Sequence, residues 1–289
     1  MVVELMLIAL ILVLCIIADK FSGKFGMPAL ILFIVFTVAP FVMSLVLSFT
    51  DYNGVEFTKF SFDNFKNIIE DKYFMNSMKN VAIFAVFYVP LSIISSLIIA
   101  FLISKIKLKH NYLKVIYYIP SLTSGAAMIF VWKSLISSTS IVLDSGYMAM
   151  VVIIAISLYG CLGGNMLIYL AAMTGIDPKV YEAADIAGVN KTRQFFTITL
   201  PLITPTIFFM LVTSIISGFQ YFMMAYIMVG RGTNYSAYYL AYYIYDKGFM
   251  DYQLGYASAM SWIMFVIVIA IVGLVVSTSK KWVHYLDQE

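Results

Sequence analysis

Charge is scarce in this sequence: only 11% of its 289 residues are Asp, Glu, Lys or Arg, while 62% are hydrophobic. Soluble globular domains carry about 25% charged residues, so that class is excluded, and so is a solvated disordered chain. Cysteine is nearly absent as well. Cys15 and Cys161 lie far apart inside apolar runs, which excludes a disulfide framework and a thiolate metal site. The two histidines, His110 and His284, have no spaced companions, so no metal-ligand set is legible. No GxxxxGK(S/T) loop occurs: Gly23-Lys24 is followed by Phe25, and Ala18 stands where the first glycine belongs. No cofactor is therefore expected on this chain. No basic run points to nucleic acid. The serines have no base and orienting group arranged around them, so no catalytic residue is assigned.

What is present is a series of long, almost uncharged runs. They cover residues 27–47, 81–103, 112–136, 148–173, the stretch after Pro201 that ends at Val229, and 256–278. Each reaches the roughly 20 apolar residues needed to cross a ~30 Å hydrocarbon core. The expected architecture is an all-α polytopic membrane protein with six core transmembrane helices over residues 27–285. Ahead of it, segment 1–26 holds an apolar run at 5–18 that is short for a span. It lacks the basic start and cleavage pattern of a secretory signal, and reads as an extra tilted span or an interfacial helix. Residues 286–289 form a tail.

Orientation follows from the cations. Lys105, Lys107, Lys109 and Lys114 cluster without an acid in one linker, which places it in the cytoplasm, and 11 of the 18 Lys and Arg fall in inner segments. Residues 51–79 and the tyrosine-rich 231–252 are then external. Pro90 predicts a kink, Gly160 and Gly164 a tight helix crossing, and Trp132 with Lys133 an anchor at the outer interface. No span carries Asp or Glu at mid-depth, which counts against an ion-coupled secondary transporter.

One polar stretch interrupts this pattern, residues 177–201, DPKVYEAADIAGVNKTRQFFTITLP. Asp177 suits an N-cap, Pro178 the first helical position, and Gly188 the left-handed residue past a helix end. The spacing predicts a helix over 178–187 with Val180, Ala183, Ala184 and Ala187 on one face. Asn190 caps a second short helix, and Leu200-Pro201 breaks the path before the next apolar run. A helix this short is not stable in water unless it packs on something.

Glu182-Ala183-Ala184, Gly188 three residues after Asp185, and then Ile198 and Leu200-Pro201 resemble the EAA loop of binding-protein-dependent ABC importer permeases. Residues 244–261, IYDKGFMDYQLGYASAMS, resemble the carbohydrate-type members, in particular those like the larger maltose permease subunit. The resemblance implies the type I ABC importer permease fold in a prokaryotic plasma membrane. It implies coupling to ATPase subunits through Tyr181, Glu182, Ala183, Ala184, Asp185, Gly188, Leu200 and Pro201, with Glu182 in a charge-assisted contact. Expected partners are a second homologous permease, two ATPase subunits that hold the ATP and Mg, an external or periplasmic solute-binding protein, and membrane lipid. This chain departs from the family at Val229-Gly230-Arg231-Gly232, where a T-GGP turn is common, and in the short link at 137–147.

A neutral polar solute such as a sugar would need amide, hydroxyl and aromatic partners along its path, without fixed charge. Asn165, Gln220, Tyr221 and Tyr226 are the candidates. A permease for another small polar solute and a secondary transporter remain the alternatives.

Overall fold

The computed structural model describes residues 32–56, 59–105, 112–137, 146–232 and 235–284, and is nearly all-helical. The segment 1–26, the tail 286–289, most of the basic linker and most of the short link at 137–147 lie outside those residues. The helices are α1 (Ile34–Ser48), α2 (Asp63–Glu70), α3 (Lys72–Ser104), α4 (Tyr112–Leu122), α5 (Gly125–Ser137), α6 (Gly146–Thr174), α7 (Pro178–Ile186), α8 (Lys191–Leu202), α9 (Thr204–Phe219), α10 (Leu240–Tyr245) and α11 (Leu254–Ser279). Helices α3, α6 and α11 are each long and apolar enough to cross a membrane, while α1 is a shorter apolar helix.

Two of the expected spans are broken. Helices α4 and α5 together pass as one span but meet at 92°. The sequence reading, one span over 112–136, missed the break because the residues around it are apolar or small. Its end groups are locally satisfied: Thr123 donates its backbone N–H to Pro120 O and its hydroxyl to Ile119 O, both at 3.3 Å. The run ending at Val229 also divides. Helix α9 stops at Phe219, and a π-helical turn follows over Ala225–Val229. By contrast, α3 runs on through Pro90, and Asp71 caps its start by accepting from the backbone N–H groups of Tyr73 (2.8 Å) and Phe74 (3.3 Å).

The described residues fall into two compact units. One contains the residues up to Met75 together with Ala241–Val266, and the other contains Asn76–Leu240 with the residues from Ile267 onward. In the first unit α1 packs on the start of α11 through Phe41, Trp262 and Phe265, and Trp262 Nε1 donates to Ser44 Oγ at 3.2 Å. In the second, α4 lies along α6, and the close approach is set at Gly163. A Cβ there would sit 2.2 Å from Tyr117 O and 2.7 Å from Tyr118 Cα. The expected crossing pair was Gly160 and Gly164, but a Cβ at Gly160 would meet nothing within 4 Å. The glycine between them carries the contact.

Large apolar side chains such as Phe36 (74%), Val86 (68%) and Leu274 (68%) remain exposed. Only 11% of the most apolar stretch of α11 is buried. Faces of this kind belong against lipid or another apolar helix, not water.

Candidate functional site

The polar hairpin has the expected local form. Helix α7 starts on Asp177, whose carboxylate accepts from Lys179 N at 2.9 Å, with Pro178 as its first residue. Its end is a Schellman turn: Val189 N donates to Ala184 O and Gly188 N to Asp185 O, both at 3.0 Å, with Gly188 at φ +72°. Asn190 then caps α8 by accepting from Arg193 N at 2.8 Å.

The side chains divide into two sets. Asp185 binds Lys191 Nζ through both oxygens (2.6 and 2.7 Å) and accepts from Gln194 Nε2 at 2.6 Å, and Gln194 also donates to Val189 O at 2.9 Å. The bond from Lys191, followed by that from Gln194, holds the Asp185 carboxyl below its ordinary range. Tyr181 shares a 2.9 Å hydrogen bond with Thr199, and Ala184 is buried. These residues tie α7 to α8. Glu182, Ala183 and Ala187 face outward with Val180 and Ile186, the last 89% exposed. The expected alanine face is thus split, with Ala184 inside and Ala183 outside. Ile186 was absent from the sequence-predicted set, although an isoleucine beside the glycine elbow of a short polar helix was a readable signal.

The bend lies beyond Leu200-Pro201. Both residues are helical, within a path that includes a π-turn over Phe195–Thr199, and the chain turns by 67° at Ile203. Pro201 is the penultimate residue of α8, and the helix ends one residue after it. Pro205 has no N–H to offer Pro201 O, and the Thr204 hydroxyl takes that acceptor at 2.7 Å. Ile203 is 1% exposed, in one cluster with Ala100 and Ile103 of α3 and Met166, Tyr169, Leu170 and Met173 of α6. The elbow that joins the hairpin to α9 is therefore packed into the helix core.

The two helix breaks, at 123–124 and 220–222, line one cavity of about 390 Å³. Ser121, Thr123 and Gly125 come from the first break, Gln220 to Met224 from the second, and Ser157 and Gly160 from α6. No charged side chain lines it. Irregular backbone at membrane depth is tolerated where it lines a cavity, so break and cavity explain each other. Tyr221 Oη meets Ser157 Oγ and donates to Met224 Sδ (3.2 Å), and its ring packs on Phe84 with centroids 4.5 Å apart. Ser121 Oγ donates to Gly160 O and accepts from Gly164 N, both at 3.0 Å. Gly160 O and Gly164 N are the partners of one helical turn, so the hydroxyl is inserted into the α6 ladder.

Of the four sequence-predicted path residues, Gln220 and Tyr221 line this cavity. Asn165 is half-buried on α6 outside the lining, and Tyr226 stacks on Phe222 with centroids 5.3 Å apart. Ser157, Ser121 and Tyr88, which line it, were missed because a serine or tyrosine in an apolar run carries no signal of the direction it faces. Lys133, expected as an interface anchor, donates to Ile227 O at 2.6 Å, within the π-turn.

Residues 107–284 match the family described as the binding-protein-dependent transport system inner membrane component. The chain belongs to that family. Among relatives of this permease, the probable ABC transporter permease protein YesP of Bacillus subtilis is 34% identical over 292 residues, covering 94% of each chain. The lactose transport system permease protein LacF of Rhizobium radiobacter is 30% identical over 271 residues, covering 86% of this chain and 91% of its own. A permease chain from the crystal structure of a bacterial ABC transporter importing the acidic polysaccharide alginate shares the fold. Its TM-score is 0.77 at 21% identity, over 91% of this chain and 96% of that one. The type I permease architecture and a multi-pass place in the plasma membrane are thereby established, and the chain is a transport subunit, not an enzyme.

Proposed function

We propose that this permease carries a neutral sugar or short oligosaccharide inward, with energy supplied by separate ATPase subunits that grip α7. The observation that carries the solute class is the uncharged cavity at the two helix breaks, lined by Ser157, Ser121, Gln220, Tyr88 and Tyr221. Hydroxyl and amide groups there match a polyol, and tyrosine faces match sugar C–H surfaces. Relatives bear names for lactose, starch degradation products and sn-glycerol 3-phosphate transport. A phosphate in this cavity would be a buried charge with no cationic partner, so a neutral saccharide fits better.

The supporting geometry for coupling is the outward row of Glu182, Ala183 and Ile186 on a hairpin whose inner residues bind one another. In this reading Glu182 contacts the ATPase, Ala183 allows close approach, and Ile186 fills an apolar pocket there. Tyr181, Ala184, Asp185, Leu200 and Pro201 act by keeping the hairpin rigid. Closure of the ATPase dimer around ATP and Mg would move α7, and Ile203 would pass that movement into α3, α6 and α9. The full assembly would contain a second, homologous permease, two ATPase subunits and an external solute-binding protein.

Purification in mild detergent, followed by reconstitution with the co-purifying proteins, tests this reading. Lactose or maltose uptake that requires ATP and falls in Gln220→Ala is the expected result. A complex without an ATPase, or import restricted to phosphorylated solutes, would overturn it.

A further inference from the structure

The two segments that the charge pattern places outside the membrane come together in the first unit around a second pocket, of about 560 Å³. Every side chain lining it is polar or a tyrosine, and none is aliphatic. Its volume lies in the small-molecule range of roughly 300–1,000 Å³.

Its walls are fixed by bonds that leave a defined set of groups free. Asp71 accepts from the hydroxyls of Tyr243 and Tyr256 as well as from its two backbone donors. Burial pushes this carboxyl up, but those four bonds outweigh it and hold it below its ordinary range. Asn64 Nδ2 donates to Ser48 O (3.0 Å) and Thr50 O (2.7 Å). Gly255 N donates to Tyr52 O at 2.9 Å, and a Cβ at Gly255 would lie 2.0 Å from Thr50 O, so only glycine permits that approach. Lys247 is neutralised by Asp251 at 2.8 Å. Asn67 and Gln253 are different: both are exposed, and among the described residues neither side-chain amide has a hydrogen-bond partner. Beside them Tyr252, 67% exposed, is held at φ +55°, a conformation that an aromatic residue rarely adopts. A strained, exposed tyrosine next to two unused amides, over a floor whose Asp71 carboxylate is held by four donors and whose Asp51 accepts from Lys59 N at 3.2 Å, is a pre-built surface for a polyhydroxylated ring.

We infer that this outer pocket is a second saccharide site, in which Tyr252 stacks on a sugar ring and Asn67 and Gln253 bind its hydroxyls. It takes its solute class from the import reading above but does not depend on the transmembrane cavity.

Saturation-transfer NMR on the complete transporter in nanodiscs, without binding protein, tests the site with glucose, lactose and maltose. At least one of these sugars should give a signal. Its affinity should fall about tenfold in the double variant Asn67→Ala/Gln253→Ala, as the loss of two hydrogen bonds predicts. Tyr252→Gly should abolish the signal while leaving the thermal midpoint equal or higher, because glycine adopts positive φ without strain. No signal from any of the three sugars, or a signal that these variants leave unchanged, overturns the outer site. A signal lost in Ser157→Ala alone places the sugar in the membrane cavity, which sinks the outer site and leaves the import reading standing. Binding at Tyr252 without ATP-driven uptake of any of the three sinks the import reading instead.

Discussion

The hairpin at 177–203 and the cavity at the two helix breaks solve opposite problems with the same backbone. In the hairpin each chain reversal is closed by a local cap, and Asp185, Lys191 and Gln194 bind the two helices together. An element held this way is locally stiff. Around the cavity, helices are interrupted where hydrogen bonding would otherwise be continuous, and a serine hydroxyl from α4 stands inside the ladder of α6. Such a region can exchange partners at low cost. In the proposed import cycle the hairpin is the stiff handle and the cavity the compliant passage, and the buried Ile203 lies between them.

The comparison breaks most completely if the elbow is altered. Gly188→Val puts a β-branched residue at φ +72°, where an L-residue is disfavoured by about 1–2 kcal/mol or more. Uptake should be lost and ATP hydrolysis uncoupled, with membrane insertion intact by protease protection. No atom lies within 4 Å of an added Cβ, so the cost is one of backbone alone. Gly188→Asn, which tolerates left-handed backbone, should therefore restore part of the uptake. Equal damage from Val and Asn would mean that the elbow acts by space and not by angle.

On the cavity side the larger effect belongs to Gly163. Gly163→Ala forces a methyl to within 2.2 Å of the Tyr117 carbonyl, and should destabilise the purified transporter by about 1–3 kcal/mol. Gly160→Ala should be close to neutral in the same thermal-unfolding series. A smaller effect is expected at Ser121. Ser121→Ala deletes the inserted hydroxyl, leaving Gly160 O and Gly164 N to bond each other directly or remain unpaired, at about 1 kcal/mol. If the passage is compliant, this variant should change the KM for uptake more than its thermal midpoint.

The hairpin was legible because its signals are local. Asp177, Pro178, Gly188 and Asn190 each determine the conformation of the next few residues, and the structure has them in those roles. The breaks at 123–124 and 220–222 were not legible, because apolar composition records the need for a nonpolar surround and says nothing of continuity. Gln220 and Tyr221 could be picked out as polar groups in an apolar run, but Ser157 could not, since its role depends on which helix faces it. Likewise the choice of Gly163 over Gly160 depends on where α4 crosses α6, a fact of packing and not of pattern.

The smallest effect sharpens the comparison from the rigid side. The Asp185 carboxyl is lowered from 3.8 by Lys191 and Gln194, so its contribution to holding α7 on α8 is complete above that value. It is lost only as pH falls through the lower folded value. Between pH 6 and 8 uptake should therefore show no dependence traceable to this clamp. Asp185→Asn should reproduce at neutral pH what acid does to the wild type. Because the pair is exposed, screening keeps the loss modest, and high salt should reduce the difference between Asp and Asn further. Measured as the crosslinking yield between cysteines placed at 182 and 193, a wild-type clamp that loosens at pH 6 would show that the hairpin's stiffness comes from groups other than Asp185.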